Sequence, residues 1–290
     1  LRRGTERRMP YMSNDLHDPD LDTGDAPDAV AVPRPRRKGI YILPNLFTLA
    51  ALFGGFYGIV MAMNGQFEQS AIGIFCAMVL DSLDGRVARM TNTQSTFGEQ
   101  MDSLSDMVSF GAAPALIVYE WALKGLGKLG WIAAFVYCSG AALRLARFNT
   151  NIAVVDKRFF QGLPSPAAAA LVVGLIWVST DFDPTYRSLP WMVWLAFAFT
   201  LYAGLTMVTN VPFYSFKDIS FKRTVPFIVI VAIALGIAVI NLHPAGVLFG
   251  IFVTYGLSGY AVFVWKKLKG RPVSVIATST DEPDEAGLHQ

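Results

Sequence analysis

The chain has 290 residues, of which 53% are hydrophobic and only 16% charged, and its mean hydropathy is +0.42. Those values exclude an ordinary soluble domain of this length and point to an integral membrane protein. The net charge is only +2, and the basic residues form scattered groups rather than one large surface, which excludes nucleic-acid binding.

In chain order, residues 1–38 are polar and proline-rich and carry no apolar signal-peptide core, so a disordered cytoplasmic tail is predicted, with Met9 and Met12 as candidate natural starts. Apolar runs near the roughly 20 residues that cross a bilayer then follow at about 43–63, 68–90, 101–123, 130–147, 165–180, 190–209, 224–241 and 245–265, giving about eight spans. They lack the alternation of barrel strands, so the predicted fold is an all-α integral membrane bundle. The polar stretch 269–290 is predicted as a disordered cytoplasmic C-terminal tail.

Basic residues flank the spans unevenly. Arg34, Arg36, Arg37 and Lys38 precede the first; Lys157 and Arg158 follow the fourth; Lys217, Lys222 and Arg223 follow the sixth; Lys266, Lys267, Lys269 and Arg271 follow the eighth. These groups share one side of the membrane, and the opposite loops hold little beyond Lys124, Lys128 and Arg187. The positive-inside rule therefore places both termini in the cytoplasm. Cys76 and Cys138 sit in apolar segments without a second cysteine or histidine at ligand spacing, and read as buried small apolar residues.

Against this background four aspartates stand out. Asp81 and Asp84, three apart, share a face near the end of the second predicted helix, and Asp102 and Asp106, at i and i+4, share a face at the start of the third. An aspartate at the centre of a membrane helix costs about 2.5 to 3.5 kcal/mol on insertion scales, so four close together call for a compensating cation. Carboxylates without histidine or cysteine favour Mg²⁺ or Mn²⁺, and four of them can hold two ions about 3.5 to 4 Å apart, the spacing used in phosphoryl displacement. Gly85 and Gly98 remove side chains where a helix or ligand must come close, and Arg89 offers a planar fork of donors to a phosphate. Taken singly, an intramembrane Asp also serves as a packing partner and an interfacial Arg snorkels. The inferred topology brings all four aspartates to one hairpin on the cytoplasmic side, where nucleotides are available.

The string Asp81-x2-Asp84-Gly85-x2-Ala88-Arg89-x8-Gly98-x3-Asp102-x3-Asp106, with eight identities fixed over 26 positions, resembles the complete signature of the CDP-alcohol phosphatidyltransferases. Three further strings resemble the membrane-bound phosphatidylserine synthases within that family: Leu43-Pro44-Asn45-Leu46-Phe47-Thr48, Arg144-Leu145-Ala146-Arg147-Phe148-Asn149 and Phe160-Gln161-Gly162-Leu163-Pro164-Ser165-Pro166. The resemblance implies a six-helix catalytic core, here 39–210, followed by two additional helices in 211–268, and a homodimer in a bacterial-type inner membrane. It also implies transfer of a phosphatidyl group from CDP-diacylglycerol to L-serine, with membrane lipids around the site. Asp81, Asp84, Asp102 and Asp106 are then metal ligands, with Asp106 also the general base; Asn45, Thr48, Gly85, Ala88, Arg89 and Gly98 line the CDP-lipid site; Arg144 and Arg147 bind the acceptor.

Alternatives stay open at this stage. Arg144 and Arg147 also suit helix capping and positive-inside anchoring. Asn45 and Thr48 fit an N-cap or packing role equally well, and the segment 162–166 either breaks the chain before the fifth helix or lines the acceptor site. The same chemistry with glycerol 3-phosphate, an inositol phosphate or choline as acceptor is the nearest rival. A divalent-cation transporter is the remote one; it predicts midplane ligands and an internal repeat, and residues 165–265 contain no second acidic motif.

Overall fold

The computed structural model of the chain describes residues 42–91, 93–150, 159–215 and 227–269. The two tails, apart from Lys269, and the basic groups at 34–38, 157–158, 217, 222–223 and 271 lie outside these residues. Helices α1 (Ile42–Met63) and α2 (Phe67–Met90) form an antiparallel hairpin closed by Gly65 at a φ of 75°. Ser70 of α2 donates to the Gly58 carbonyl of α1 at 2.6 Å, a bond that satisfies a buried hydroxyl where the helices pass closely.

The third predicted span is one helical path in three parts: α3 (Thr96–Asp106), a π-helical stretch (Met107–Ala112) and α4 (Ala113–Trp121). Pro114 explains the widening. It has no N–H to give the Phe110 carbonyl four residues back, and its ring crowds that carbonyl. The Ala113 N–H instead reaches the Val108 carbonyl, five residues back. The Phe110 carbonyl accepts from the hydroxyl of buried Tyr137 at 2.9 Å.

A 3₁₀ turn (Leu123–Leu126) leads to α5 (Lys128–Thr150), which carries both predicted acceptor arginines. Strand β1 (Phe159–Gln161) precedes α6 (Ser165–Phe182), the buried centre of the bundle, in which 13 of 18 residues are buried. After a second 3₁₀ turn (Pro184–Ser188) come α7 (Pro190–Val208), β2 (Pro212–Tyr214), α8 (Phe227–Leu242) and α9 (Pro244–Leu268). Helix α7 lies against α5 where Gly140 and Gly204 let the backbones approach.

Two features differ from the sequence expectation. First, β1 and β2 form an antiparallel ribbon with Phe159 opposite Tyr214, Phe160 opposite Phe213 and Gln161 opposite Pro212, so among the described residues the fold is all-α apart from this three-residue pairing. Second, among the described residues five helices, α1, α5, α6, α7 and α9, are long and apolar enough to cross a membrane, against about eight expected runs. Helix α2 has the length but carries Glu68, Asp81, Asp84, Arg86 and Arg89. The third run is divided by the Pro114 widening, and α8 has 16 residues.

Candidate active site

The site is built where the end of α2 meets the start of α3. The Ser95 side chain accepts from the Gly98 N–H at 3.0 Å and so caps α3. Ser105 and Ser109 donate to the carbonyls of Thr48 and Ala51, each at 3.1 Å, which fixes this helical path against α1. With α3 held in this way, its i, i+4 aspartates face α2.

Asp81, Asp102 and Asp106 each offer a carboxylate oxygen, and these three oxygens lie within 4.8 Å of one another. Oδ1 of Asp102 and Oδ1 of Asp106 are buried without a hydrogen-bond partner. Three carboxylates this close repel one another, and a buried acceptor left unpaired is costly. The donor set, oxygen only and with two vacant acceptors, fits a hard divalent cation such as Mg²⁺ or Mn²⁺.

Asp84 is placed differently from the other three. It is buried, and its Oδ2 accepts from the Thr48 hydroxyl of α1 at 2.7 Å; that hydroxyl also lies 3.2 Å from the Pro44 carbonyl. The structure therefore brings three of the four aspartates together and ties the fourth to Thr48. Thr48, read from sequence as reaching a phosphate or packing in the helix, is a partner of Asp84.

On the exposed side of α2, Arg89 folds back one turn and donates from Nε to the Gly85 carbonyl at 2.9 Å. A side chain added at Gly85 would meet nothing nearer than an Arg89 nitrogen at 4.0 Å, so this glycine borders open space. Gly98 faces Asn45, whose Oδ1 would lie 3.4 Å from an added Cβ. Ala88 is half-buried one turn from Gly85. Asn45, Gly98, Gly85 and Arg89 thus flank the acidic cluster on the α1–α3 side and along α2.

Arg144 approaches from α5. Its Nη1 donates to Oγ of the buried Ser165 at 2.7 Å, while its Nε is buried without a hydrogen-bond partner. Its charge interacts with Asp106 and Asp81. Arg147 donates to Oδ1 of Asn210 at 3.2 Å, and the Asn149 amide donates to Ser103 Oγ at 3.0 Å, linking α5 to α3 beside Asp102. The sequence places Ser165 in the segment 162–166, which either breaks the chain or lines the acceptor site, and does not mark Asn210 at all. A serine following Leu-Pro at a helix start is the local signal for the first; nothing local marks the second, because its partner is 63 residues away.

Such an arrangement has an acidic centre suited to a divalent ion, a half-buried arginine whose charge acts on it, and an open edge at Gly85. It can bind a pyrophosphate, receive a proton on a carboxylate and hold an anionic second substrate. The sequence model of the CDP-alcohol phosphatidyltransferase family matches residues 41–202. A relative from Helicobacter pylori (strain ATCC 700392 / 26695), named CDP-diacylglycerol–serine O-phosphatidyltransferase, is 35% identical over 219 residues, covering 75% of this chain and 90% of that protein. A relative of the same name from Mycobacterium leprae (strain TN) is 31% identical over 77% of this chain and 75% of its own length. Another from Methanocaldococcus jannaschii is 34% identical over 64% of this chain and 82% of its own length.

Proposed function

The chain belongs to the CDP-alcohol phosphatidyltransferase family, and we propose from that premise that it transfers the phosphatidyl group of CDP-diacylglycerol to the hydroxyl of L-serine, giving phosphatidylserine and CMP. It is a multi-pass membrane protein, with five helices among the described residues long and apolar enough to cross a bilayer. The observation that carries the proposal is the convergence of the Asp81, Asp102 and Asp106 carboxylates, with the charge of Arg144 acting on Asp106 and Asp81. The names of the relatives support serine as the acceptor.

In this reading Asp81, Asp102 and Asp106, with Asp84 beside them, would hold the divalent metal, Mg²⁺ or Mn²⁺, and four carboxylates suffice for two ions. Bound there, it supplies charge neutralisation for the pyrophosphate and for departing CMP. The serine hydroxyl oxygen bonds to the lipid-linked phosphorus, the bond from that phosphorus to the CMP oxygen breaks, and the hydroxyl proton passes to Asp106. Ser105, the serine beside that aspartate, donates to the Thr48 carbonyl, which favours direct displacement over a covalent intermediate. Arg89 binds phosphate, and Gly85, Ala88 and Gly98 let the cytidine lie against the helices, with Asn45 and Thr48 at the same end. Arg144 and Arg147 hold the serine carboxylate, a group that a plain alcohol acceptor lacks. The positive-inside pattern puts this end and both termini in the cytoplasm, the lipid tails remain between helices, and the active species is a homodimer.

The test is CMP release by purified protein in mixed micelles of CDP-diacylglycerol with Mn²⁺ or Mg²⁺, offering serine, glycerol 3-phosphate, inositol phosphate or no acceptor. Serine-dependent release that a chelator and Asp106→Ala both abolish supports the proposal. Release with a different acceptor alone would keep the chemistry and overturn the role given to Arg144 and Arg147. Silence from folded protein with every acceptor would return cation transport to consideration.

A further inference from the structure

The two acceptor arginines are held by residues that flank the same end of the β1–β2 ribbon, where Gln161 pairs with Pro212. Ser165, which accepts from Arg144, begins α6 directly after the turn that leaves β1; Asn210, which accepts from Arg147, lies two residues before β2. The ribbon joins these anchors. Gly162, at a φ of 74°, donates from its N–H to the Val211 carbonyl at 2.9 Å, and the Leu163 N–H donates to the Thr206 carbonyl at 3.2 Å. No other residue type suits position 162, since a Cβ there would also run into the carbonyl oxygens of Met207 and Thr209.

The ribbon is in turn braced by α9, which lies beyond the residues 41–202 matched by the family. Phe213 of β2 is fully buried with its ring seated on Gly259, where an added Cβ would overlap it. Tyr255 packs its ring against Phe213 at 5.7 Å between centroids and donates its hydroxyl to the Tyr214 carbonyl at 3.1 Å. One turn further on, Tyr260 and Thr206 hydroxyls are 2.9 Å apart, and the Tyr202 hydroxyl donates to the Gly256 carbonyl at 2.8 Å. α9 is therefore fixed to α7 and to β2 by hydroxyls on both sides of the Phe213 seat.

We propose that Tyr255 and Phe213 are positioning residues for the acceptor: the α9 brace sets the ribbon, and the ribbon, through Ser165 and Asn210, sets Arg144 and Arg147 at the geometry that takes a carboxylate-bearing alcohol. This rests on the acceptor reading above. The brace touches none of the aspartates among the contacts described, so loosening it should weaken acceptor binding and leave the CDP-lipid end unchanged.

The experiment uses the full chain in detergent, with serine and CDP-diacylglycerol varied separately. Tyr255→Phe keeps the ring and removes the bond to the Tyr214 carbonyl, Phe213→Leu loosens the seat on Gly259, and Arg144→Lys reports on the acceptor reading itself. Thr254→Val is the control, since that hydroxyl bonds only the Gly250 carbonyl of its own helix. The expected result is a serine KM raised three- to tenfold in Tyr255→Phe and Phe213→Leu, with kcat within twofold of wild type, an unchanged KM for CDP-diacylglycerol, and a wild-type Thr254→Val. A wild-type serine KM in Tyr255→Phe beside a raised one in Arg144→Lys would overturn the brace and leave the acceptor reading standing. An unchanged serine KM in Arg144→Lys would overturn both. Equal losses for both substrates and in kcat would make the brace merely structural and overturn the proposal.

Discussion

The hydroxyl of Thr48, on α1, lies 2.7 Å from Oδ2 of buried Asp84, on α2. It ties Asp84 to α1 while the other three aspartates converge, and it makes α1 part of the site. A hydrogen bond to a charged group contributes about 1.5 to 3 kcal/mol, and every 1.4 kcal/mol or so is tenfold in rate. Thr48→Val is therefore expected to lower kcat/KM by about 10- to 100-fold, and Thr48→Ser, which keeps the hydroxyl, to stay within a few-fold of wild type. Steady-state CMP release decides it; two variants equal to wild type would remove Asp84 from the reacting centre.

The acidic cluster predicts a stability effect that does not depend on turnover. Three carboxylate oxygens within 4.8 Å, two of the residues carrying an unpaired buried Oδ1, are mutually repulsive until a cation binds. A ligand that binds only the folded state at about 100 times its Kd adds about 2.7 kcal/mol. Thermal unfolding in detergent should thus rise by several degrees with Mn²⁺ or Mg²⁺ and fall back with a chelator. Asp102→Asn and Asp106→Asn should each blunt that response. A melting temperature indifferent to divalent ions in wild type would argue against a metal held here.

Much of this was legible in sequence because it depends on local spacing. The i, i+3 and i, i+4 aspartates need only helical periodicity to share a face, and the loop 91–95 between them is too short for anything but a hairpin. The convergence of Asp81, Asp102 and Asp106 follows from those two facts. What periodicity could not supply is which carboxylate turns elsewhere, since that depends on a hydroxyl 36 residues away, Thr48. Nor could it supply the β1–β2 ribbon: three-residue strands carry no alternation long enough to read, and their partners are separated by two helices. Arg144 was found as a cation at a helix end, whereas its tie to Ser165 is a tertiary fact. Pro114 is the missed local signal, a proline inside an apolar run that marks the carbonyl four residues earlier as needing another donor.

That donor is Tyr137, and the pair yields a coupled prediction. Tyr137→Phe leaves the Phe110 carbonyl without the 2.9 Å bond from the hydroxyl, a loss of about 1 to 3 kcal/mol for a buried acceptor. Pro114→Ala restores an N–H four residues after Phe110, able to make the ordinary helical bond. The double variant should be less destabilised than the sum of its parts, with a coupling of about 0.5 kcal/mol or more, read from melting temperatures of all four proteins. Strict additivity would mean that Pro114 is not what widens the helix.

Gly85 gives the clearest separation of binding from folding. An added methyl would meet nothing closer than an Arg89 nitrogen at 4.0 Å, and the residue is exposed near the end of α2. Replacing an exposed helical glycine by alanine is favourable by about 0.8 to 1 kcal/mol, so Gly85→Ala should melt at or above the wild-type temperature. If the cytidine of the lipid donor lies against this position, the same methyl occupies its space. The expected outcome is a KM for CDP-diacylglycerol raised about tenfold or more in a protein at least as stable as wild type, with the serine KM unchanged. The larger Gly85→Val should deepen the defect in step with side-chain volume. A stable Gly85→Ala with wild-type kinetics for both substrates would mean that the open edge beside Arg89 faces solvent, and the nucleotide would have to be sought on the Asn45–Gly98 side of the cluster.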